Sequence, residues 1–339
     1  MKRVFIFLTI LLSVSTSAEA SRSSADPVEL TLYPAKAAEP AQTYRLLPSA
    51  DKQTDADAVP LYEKAIQSVP TGIDLKRIQD WLKLPPDQLP QQQAEEVVQK
   101  HLESMRLLAR AARCKVCKWP DWKPEDDIPD LGPYKQLAFV IRLWARLEIS
   151  RRQYEGALAA MQTALGMARH LGQAPTFIQT LVGAATGGLV CREIEKFVQG
   201  KDSPNLYAAL AELPEPLVEV EKAIENEKAN LKDYNVLVRR QFEKQLEPAH
   251  DRARLIAKRL DNHVNALQVV EAIRHYAATH DGQLPQTLGD IKDMAVPNDL
   301  MSGKAFEYRR TATGAALQAA IPDGGNERDA VHYKIALKK

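Results

Sequence analysis

From Pro60 to Thr279 apolar side chains recur at helical spacing rather than in the period-two alternation of strands, and this confines the chain to a mainly α fold. Tyr62, Ala65 and Ile66 start the pattern, and Pro70-Thr71-Gly72 interrupts it. A short helix is predicted over Asp74 to Leu82, closed by Pro85-Pro86, and one longer helix over Gln91 to Ala112. Tyr134 to Ser150 and Tyr154 to His170 read as a helical hairpin. The next stretch, TFIQTLVGAATGGLVC (Thr176 to Cys191), has Gly183 and Gly187 at G-x-x-x-G spacing. It is shorter than the roughly 20 apolar residues of a membrane span, so a helix buried among neighbours is expected. Pro204 to Lys232 continues helical with a break at Pro214 and Pro216, and the charged run from Glu219 reads as a solvated face. A last amphipathic helix is predicted from Arg252 to Thr279.

The N-terminus bears on compartment. Lys2 and Arg3 precede the apolar run VFIFLTILL, and Ala18-Glu19-Ala20 supplies an A-x-A cleavage signature. A short apolar segment ending this way is a removable secretory signal, so export to the periplasm or cell envelope is expected, with cleavage after Ala20 and no membrane span in the mature chain. The formal charge is +1, and removing residues 1–20 makes it neutral. Such a chain lacks the basic footprint of a nucleic-acid binder. With 45% hydrophobic residues, there is ample material for a core. The expected organisation is residues 1–20 as signal, 21–59 as an extended lead-in, 60–250 as a helical repeat-like domain, and 251–339 as a long helix plus a small antiparallel sheet. In the lead-in, Leu30 to Tyr33 and Thr43 to Leu47 are β-prone, and one docked strand is expected.

Three resemblances sharpen this outline. Tyr154, Ala157, Met161, Ala164 and Leu165 match the second half of a tetratricopeptide repeat, with Met161 in place of the aromatic residue. In the tail, Ile273, Tyr276, Asp281-Gly282, Leu284-Pro285, Leu288, Ile291, Pro297, Asp299, Gly303, Phe306 and Tyr308 resemble the body of the type II secretion major pseudopilin. That resemblance covers about residues 255–337 and implies a helix, a turn, a short helix and a small antiparallel sheet. The lead-in (LTLYPAK to AVPLYEKAI), the cysteine loop before a helical hairpin, and this tail together resemble exported planctomycete proteins; the likeness implies a layout and no particular activity.

Two motifs carry chemistry. In RCKVCKWPDW, Cys114 and Cys117 stand at C-x-x-C spacing. Lys118 occupies the place where haem attachment needs His, and the motif follows a predicted helix instead of opening one after a strand, unlike a thioredoxin-type centre. For an exported chain a structural bond leads: Cys114 with Cys117, or either one with Cys191. His101 is a candidate third ligand for a zinc set with the two cysteines. Trp119 and Trp122 read as lids over the core. The second motif is Asp323-Gly324-Gly325-Asn326-Glu327-Arg328-Asp329. The pseudopilin body often carries a calcium loop there, so Asp323, Asn326 and Asp329 are candidate calcium ligands, against a plain Gly-Gly hairpin turn. His275 and His280, five apart, do not share a helix face as zinc-protease histidines do. With no catalytic constellation legible, the expected function is that of an exported, non-enzymatic structural or interaction protein with protein partners in the cell envelope. The alternative is a thiol-active or metal-assisted envelope enzyme centred on Cys114 and Cys117.

Overall fold

The computed structural model describes residues 26–37, 44–122, 129–232, 235–323 and 325–338. Residues 1–20, expected as a signal, and Thr43 and Gly324 lie outside the described residues. The chain is mainly helical, with a small sheet built largely from the C-terminus. In chain order the elements are β1 (Val28–Leu32), β2 (Thr54–Asp57), α1 (Val59–Gln67), α2 (Leu75–Lys83), α3 (Gln91–Lys100), α4 (Leu102–Ala111), β3 (Cys114–Val116), α5 (Gly132–Ser150), α6 (Tyr154–Gly172), α7 (Phe177–Phe197), α8 (Tyr207–Ala211), α9 (Val220–Asn230), α10 (Val236–Thr279), β4 (Glu307–Arg310), β5 (Ala315–Gln318) and β6 (His332–Leu337).

The small-residue stretch explains how the helices assemble. Its helix, α7, is buried along most of its length, and no helix among the described residues is long and apolar enough to cross a membrane. A Cβ at Gly183 would sit 2.6 Å from the Ala168 carbonyl oxygen, so only glycine lets α7 approach α6 this closely. A Cβ at Gly187 would meet Leu260 of α10 at 2.8 Å. The G-x-x-x-G pair therefore serves two neighbours, with one glycine facing each. Beside it, Glu193 of α7 takes hydrogen bonds from Arg142 at 2.6 Å and Arg146 at 2.7 Å. Arg146 is fully buried and also donates to the Leu82 and Leu84 carbonyls, which satisfies the end of α2. Burial opposes ionisation of Glu193, but the two guanidiniums outweigh it and hold the carboxyl below its usual range.

Three predicted boundaries shift. The helix expected over 91–112 is two helices hinged at His101, whose backbone leaves helical geometry (φ −102°, ψ 9°) while its Nδ1–H donates to the Val97 carbonyl at 2.7 Å. The last helix begins at Val236, not Arg252, and runs 44 residues through Pro248, so a division at 250/251 falls inside a continuous helix. Of the lead-in, Tyr44 to Leu47 forms no strand. Val28–Leu32 does, and pairs in parallel with β6 at the edge of a sheet ordered β1-β6-β5-β4, whose other pairings are antiparallel. Leu30, Leu32, Leu317, Tyr333 and Ile335 of this sheet are buried in the main core. Arg274 of α10 donates to the Tyr33 carbonyl and Ala35 N–H donates to the Arg274 carbonyl, which ties the lead-in to the long helix. The tail then follows the expected order. α10 ends with the Gly282 N–H donating to the Ala277 carbonyl, Asp281 and Gly282 both taking positive φ (52° and 72°). A single 3₁₀ turn at Leu288–Asp290 precedes β4.

Candidate functional site: the cysteine loop and its cavity

The extended geometry of Cys114–Val116 decides what the C-x-x-C motif can do. This segment is β3, pairing in parallel with β2 just after α4 ends. A strand advances about 3.3 Å per residue, so three steps separate Cα atoms by about 10 Å, beyond the roughly 7 Å a disulfide spans. All three cysteines are free thiols in the structure: Cys114 and Cys191 buried, Cys117 half-buried. Neither the Cys114–Cys117 bond nor a bond to Cys191 is present; the first is excluded because residues expected to form an irregular loop form a strand. Cys114 Sγ instead donates to the Arg110 carbonyl (3.6 Å) and accepts from Thr54 Oγ1 (3.7 Å). Burial, with Asp57 and Cys114 adding to it, pushes the Cys117 thiol well up, and burial does the same to Cys191. A thiol held protonated is a poor nucleophile.

Hydrogen bonds and stacking hold the loop. Tyr62 of α1, fully buried, donates its hydroxyl to His170 Nδ1 at 2.7 Å. His170 of α6 donates Nε2–H to the Cys114 carbonyl at 3.2 Å. Trp119 Nε1–H donates to the His170 carbonyl at 2.7 Å, and the Trp119 ring stacks on Tyr62 with centroids 6.0 Å apart. Tyr134 closes the cluster edge-on to both rings. Asp57 Oδ1 accepts from the backbone N–H groups of Val59 and Lys118, fixing the start of α1 and the exit of the loop together. Burial drives the His170 pKa down to about 4, with Arg169 adding to the effect and the Cys114 carbonyl and Asp57 opposing it. His170 is therefore neutral near pH 7, and in that state it accepts from the Tyr62 hydroxyl and donates to the Cys114 carbonyl.

Behind the loop lies a cavity of about 80 Å³, between the loop, the ends of α4 and α6, and the segment around Pro48. It is room for two to three waters at ~30 Å³ each. Lys115, Arg169, His170, Gln53 and Gln173 contribute its polar lining, and among the described residues no acidic side chain belongs to it.

The other sequence candidates lie apart from this cluster. His101 is buried in the α3–α4 hinge with Nδ1 engaged by Val97, and its Nε2 and the nearby Ser104 hydroxyl have no hydrogen-bond partner among the described residues. No group of three potential metal ligands occurs among the described residues. In the tail, Asp329 is buried and pairs with Arg259 of α10 at 2.5 Å, while its Oδ2 accepts the Asn326 N–H at 2.9 Å. Asp323 and Asn326 are exposed. Of the three candidate calcium ligands, the best placed already has a cation. His280 caps α10, its Nδ1 bonded to the Tyr276 carbonyl at 3.0 Å and its ring stacked on Tyr276, while His275 accepts the Ala37 N–H at 2.9 Å. The residues that build the loop's cluster and were not foreseen are Asp57, Tyr62, Tyr134 and His170. Tyr62 and His170 stand 108 residues apart, and no local spacing signals their contact. Compared with protein-family models, curated proteins and solved structures, the chain has no significant match in any of the three.

Proposed function

We propose that this is an exported interaction protein of the cell envelope, non-enzymatic, whose contact surface is the arm formed by α9 and the start of α10. One observation carries the proposal: Val236 and Leu237 are 54% and 80% exposed at the free end of a helix that leaves the body. The first two turns of α9 pack through Val220, Ala223 and Ile224 against Phe177 and Leu181 of α7. The arm is further held by a hydrogen bond between His250 and Glu227 at 2.6 Å and an ion pair of Arg254 with Glu221 at 2.7 Å. From Val236 to His250 only Leu246 and His250 are buried, so roughly 20 Å of helix stands outside the core. A long helix does not need this extension to pack the body, and two large aliphatic side chains at its tip are costly to leave in water.

The test is photo-crosslinking from position 237 in envelope fractions, beside a Val236→Ser/Leu237→Ser double variant. Discrete adducts from the wild-type arm, lost in competition only to protein that keeps Val236 and Leu237, are expected. Equal competition by the double variant, at an unchanged melting temperature, would count against the arm. The thiol-enzyme alternative has less support, because the Cys117 thiol is held protonated and Cys114 is engaged by Arg110 and Thr54. Its own test is alkylation of the folded protein: rapid labelling of Cys117 at neutral pH would revive it.

A further inference from the structure

We infer that the cavity behind the cysteine loop is a binding site for a small oxyanion, a carboxylate, sulfate or phosphate group, held chiefly by Arg169. The first observation is the charge of the wall. Arg169 and Lys115 both line it, with the amides of Gln53 and Gln173, and no carboxylate among the described residues does. The second is that Arg169 is half-buried yet makes no hydrogen bond or ion pair among the described residues. A guanidinium carries five donors in a planar fork matched to carboxylate and phosphate oxygens, and leaving it unpaired inside a concave wall is unfavourable.

The ordinary use of an arginine in the last turn of a helix is to answer the exposed carbonyls there. Those carbonyls are already served at the end of α6. The His170 carbonyl accepts from Trp119 Nε1 and the Gln173 N–H, and the Leu171 carbonyl accepts from the Ala174 N–H. The α4 end is served too, with Arg110 accepting from the Arg113 N–H and Cys114 Sγ. His170 offers nothing further, since both its ring nitrogens are engaged. The remaining donors around the space are the Arg169 fork, the Gln173 amide, and the second N–H of Gln53, whose first goes to the Pro48 carbonyl at 3.2 Å. Lys115 is a more distant contributor: its ammonium pairs with exposed Asp55 at 3.0 Å. Room for two to three waters suits one compact polyatomic anion.

The experiment is a titration of the full protein with sodium phosphate, sulfate and acetate against sodium chloride at matched ionic strength, read by melting temperature and calorimetry. A saturable rise of about 2–5 °C for at least one oxyanion and none for chloride is expected. Which oxyanion binds best separates a tetrahedral ligand from a carboxylate. Arg169→Met should weaken that binding at least about tenfold, Gln173→Leu less, and Lys115→Met by about two- to threefold in a salt-dependent way. If Arg169→Met fails to fold, Arg169→Lys, which keeps the charge and loses the fork, takes its place with the same expectation of weaker binding. Absence of a saturable shift, equal shifts with chloride, or unchanged affinity after loss of the fork would each overturn the assignment.

Discussion

Two loops of this protein carry the residues that chemistry favours, and they are held by opposite means. The inner side of the Cys114–Trp122 segment is fixed by neutral groups, a tyrosine hydroxyl, an uncharged imidazole, an indole N–H and stacked rings, with the carboxylates of Asp57 and Asp55 met only at the Lys118 N–H and the exposed Lys115. The Asp323–Asp329 segment is fixed by a charge, the buried Asp329 carboxylate against Arg259. A neutral network loses a modest amount when one member is removed, because each hydrogen bond is worth about 1 kcal/mol net. A buried ion pair loses much more when one partner goes, because the other is left as an unpaired charge out of water. The difference predicts how each loop fails.

The largest effect is expected in the tail. Arg259→Met should destabilise the protein by about 3 kcal/mol in urea unfolding, since the Asp329 side chain is only 4% exposed. Adding Asp329→Asn to that variant should recover most of the loss. A double variant no more stable than the single one would mean that Arg259 acts through packing and not through charge.

The next effect separates the loops by pH. His170 folds with its pKa lowered to about 4 from 6.5. The unfolded state therefore binds more protons between those values, and stability falls as pH drops through that window. About 1–2 kcal/mol should be lost between pH 7 and 5. Asp261 works the other way. Burial, opposed by the Leu217 N–H and reinforced by Glu215, pushes it up to about 6, so its cost is greatest above pH 6 and disappears as pH falls toward 4. The His170 limb is best read in an Asp261→Asn background, which keeps an acceptor for the Leu217 N–H and should itself be about 1 kcal/mol more stable at pH 7. In that background, His170→Gln should flatten the acid limb of the urea midpoint between pH 6.5 and 4. A limb that keeps its slope would remove the claim that the loop is held by an uncharged imidazole.

These loops also show what a single sequence makes legible. Helical periodicity and the Thr176–Cys191 buried helix were readable, because they depend on spacing within one segment, and the order of the tail was what its resemblance to the pseudopilin body implied. The two glycines of G-x-x-x-G were visible as a close-packing signal, but their division between α6 and α10 was not, since that depends on which helices arrive on each side. The cysteine loop misled for a similar reason. β3 exists only because Thr54–Asp57 lies beside it, and an extended strand is what keeps Cys114 and Cys117 apart. Tyr62 and His170 each look like ordinary helical residues; their roles come from contact across four intervening helices in the chain. In the tail, Asp329 reads as a ligand until Arg259, seventy residues earlier and on another element, is seen to occupy it.

A smaller effect probes the neutral network itself. Tyr62→Phe keeps the ring that stacks on Trp119 and removes only the hydroxyl that serves His170 Nδ1, leaving a buried acceptor unpaired. A loss of about 1–2 kcal/mol in urea unfolding is expected. A loss below a few tenths would show that stacking alone holds the loop.

The smallest expected effect concerns calcium at the tail loop, and it tests whether the ion pair is a substitute for a metal. Calcium takes six to eight oxygens, usually including several carboxylates. Here Asp329 already answers to Arg259 and to the Asn326 N–H, so a cation would have to displace a guanidinium at 2.5 Å to reach it. Exposed Asp323 and Asn326 cannot supply that coordination between them. Millimolar calcium, or a chelator, should leave the melting temperature of the wild type unchanged. In Arg259→Met the carboxylate is released, and calcium should then stabilise, if only weakly. A saturable calcium shift in the wild type that Asp329→Asn abolishes would reverse the contrast between the two loops and make the tail the metal-binding one.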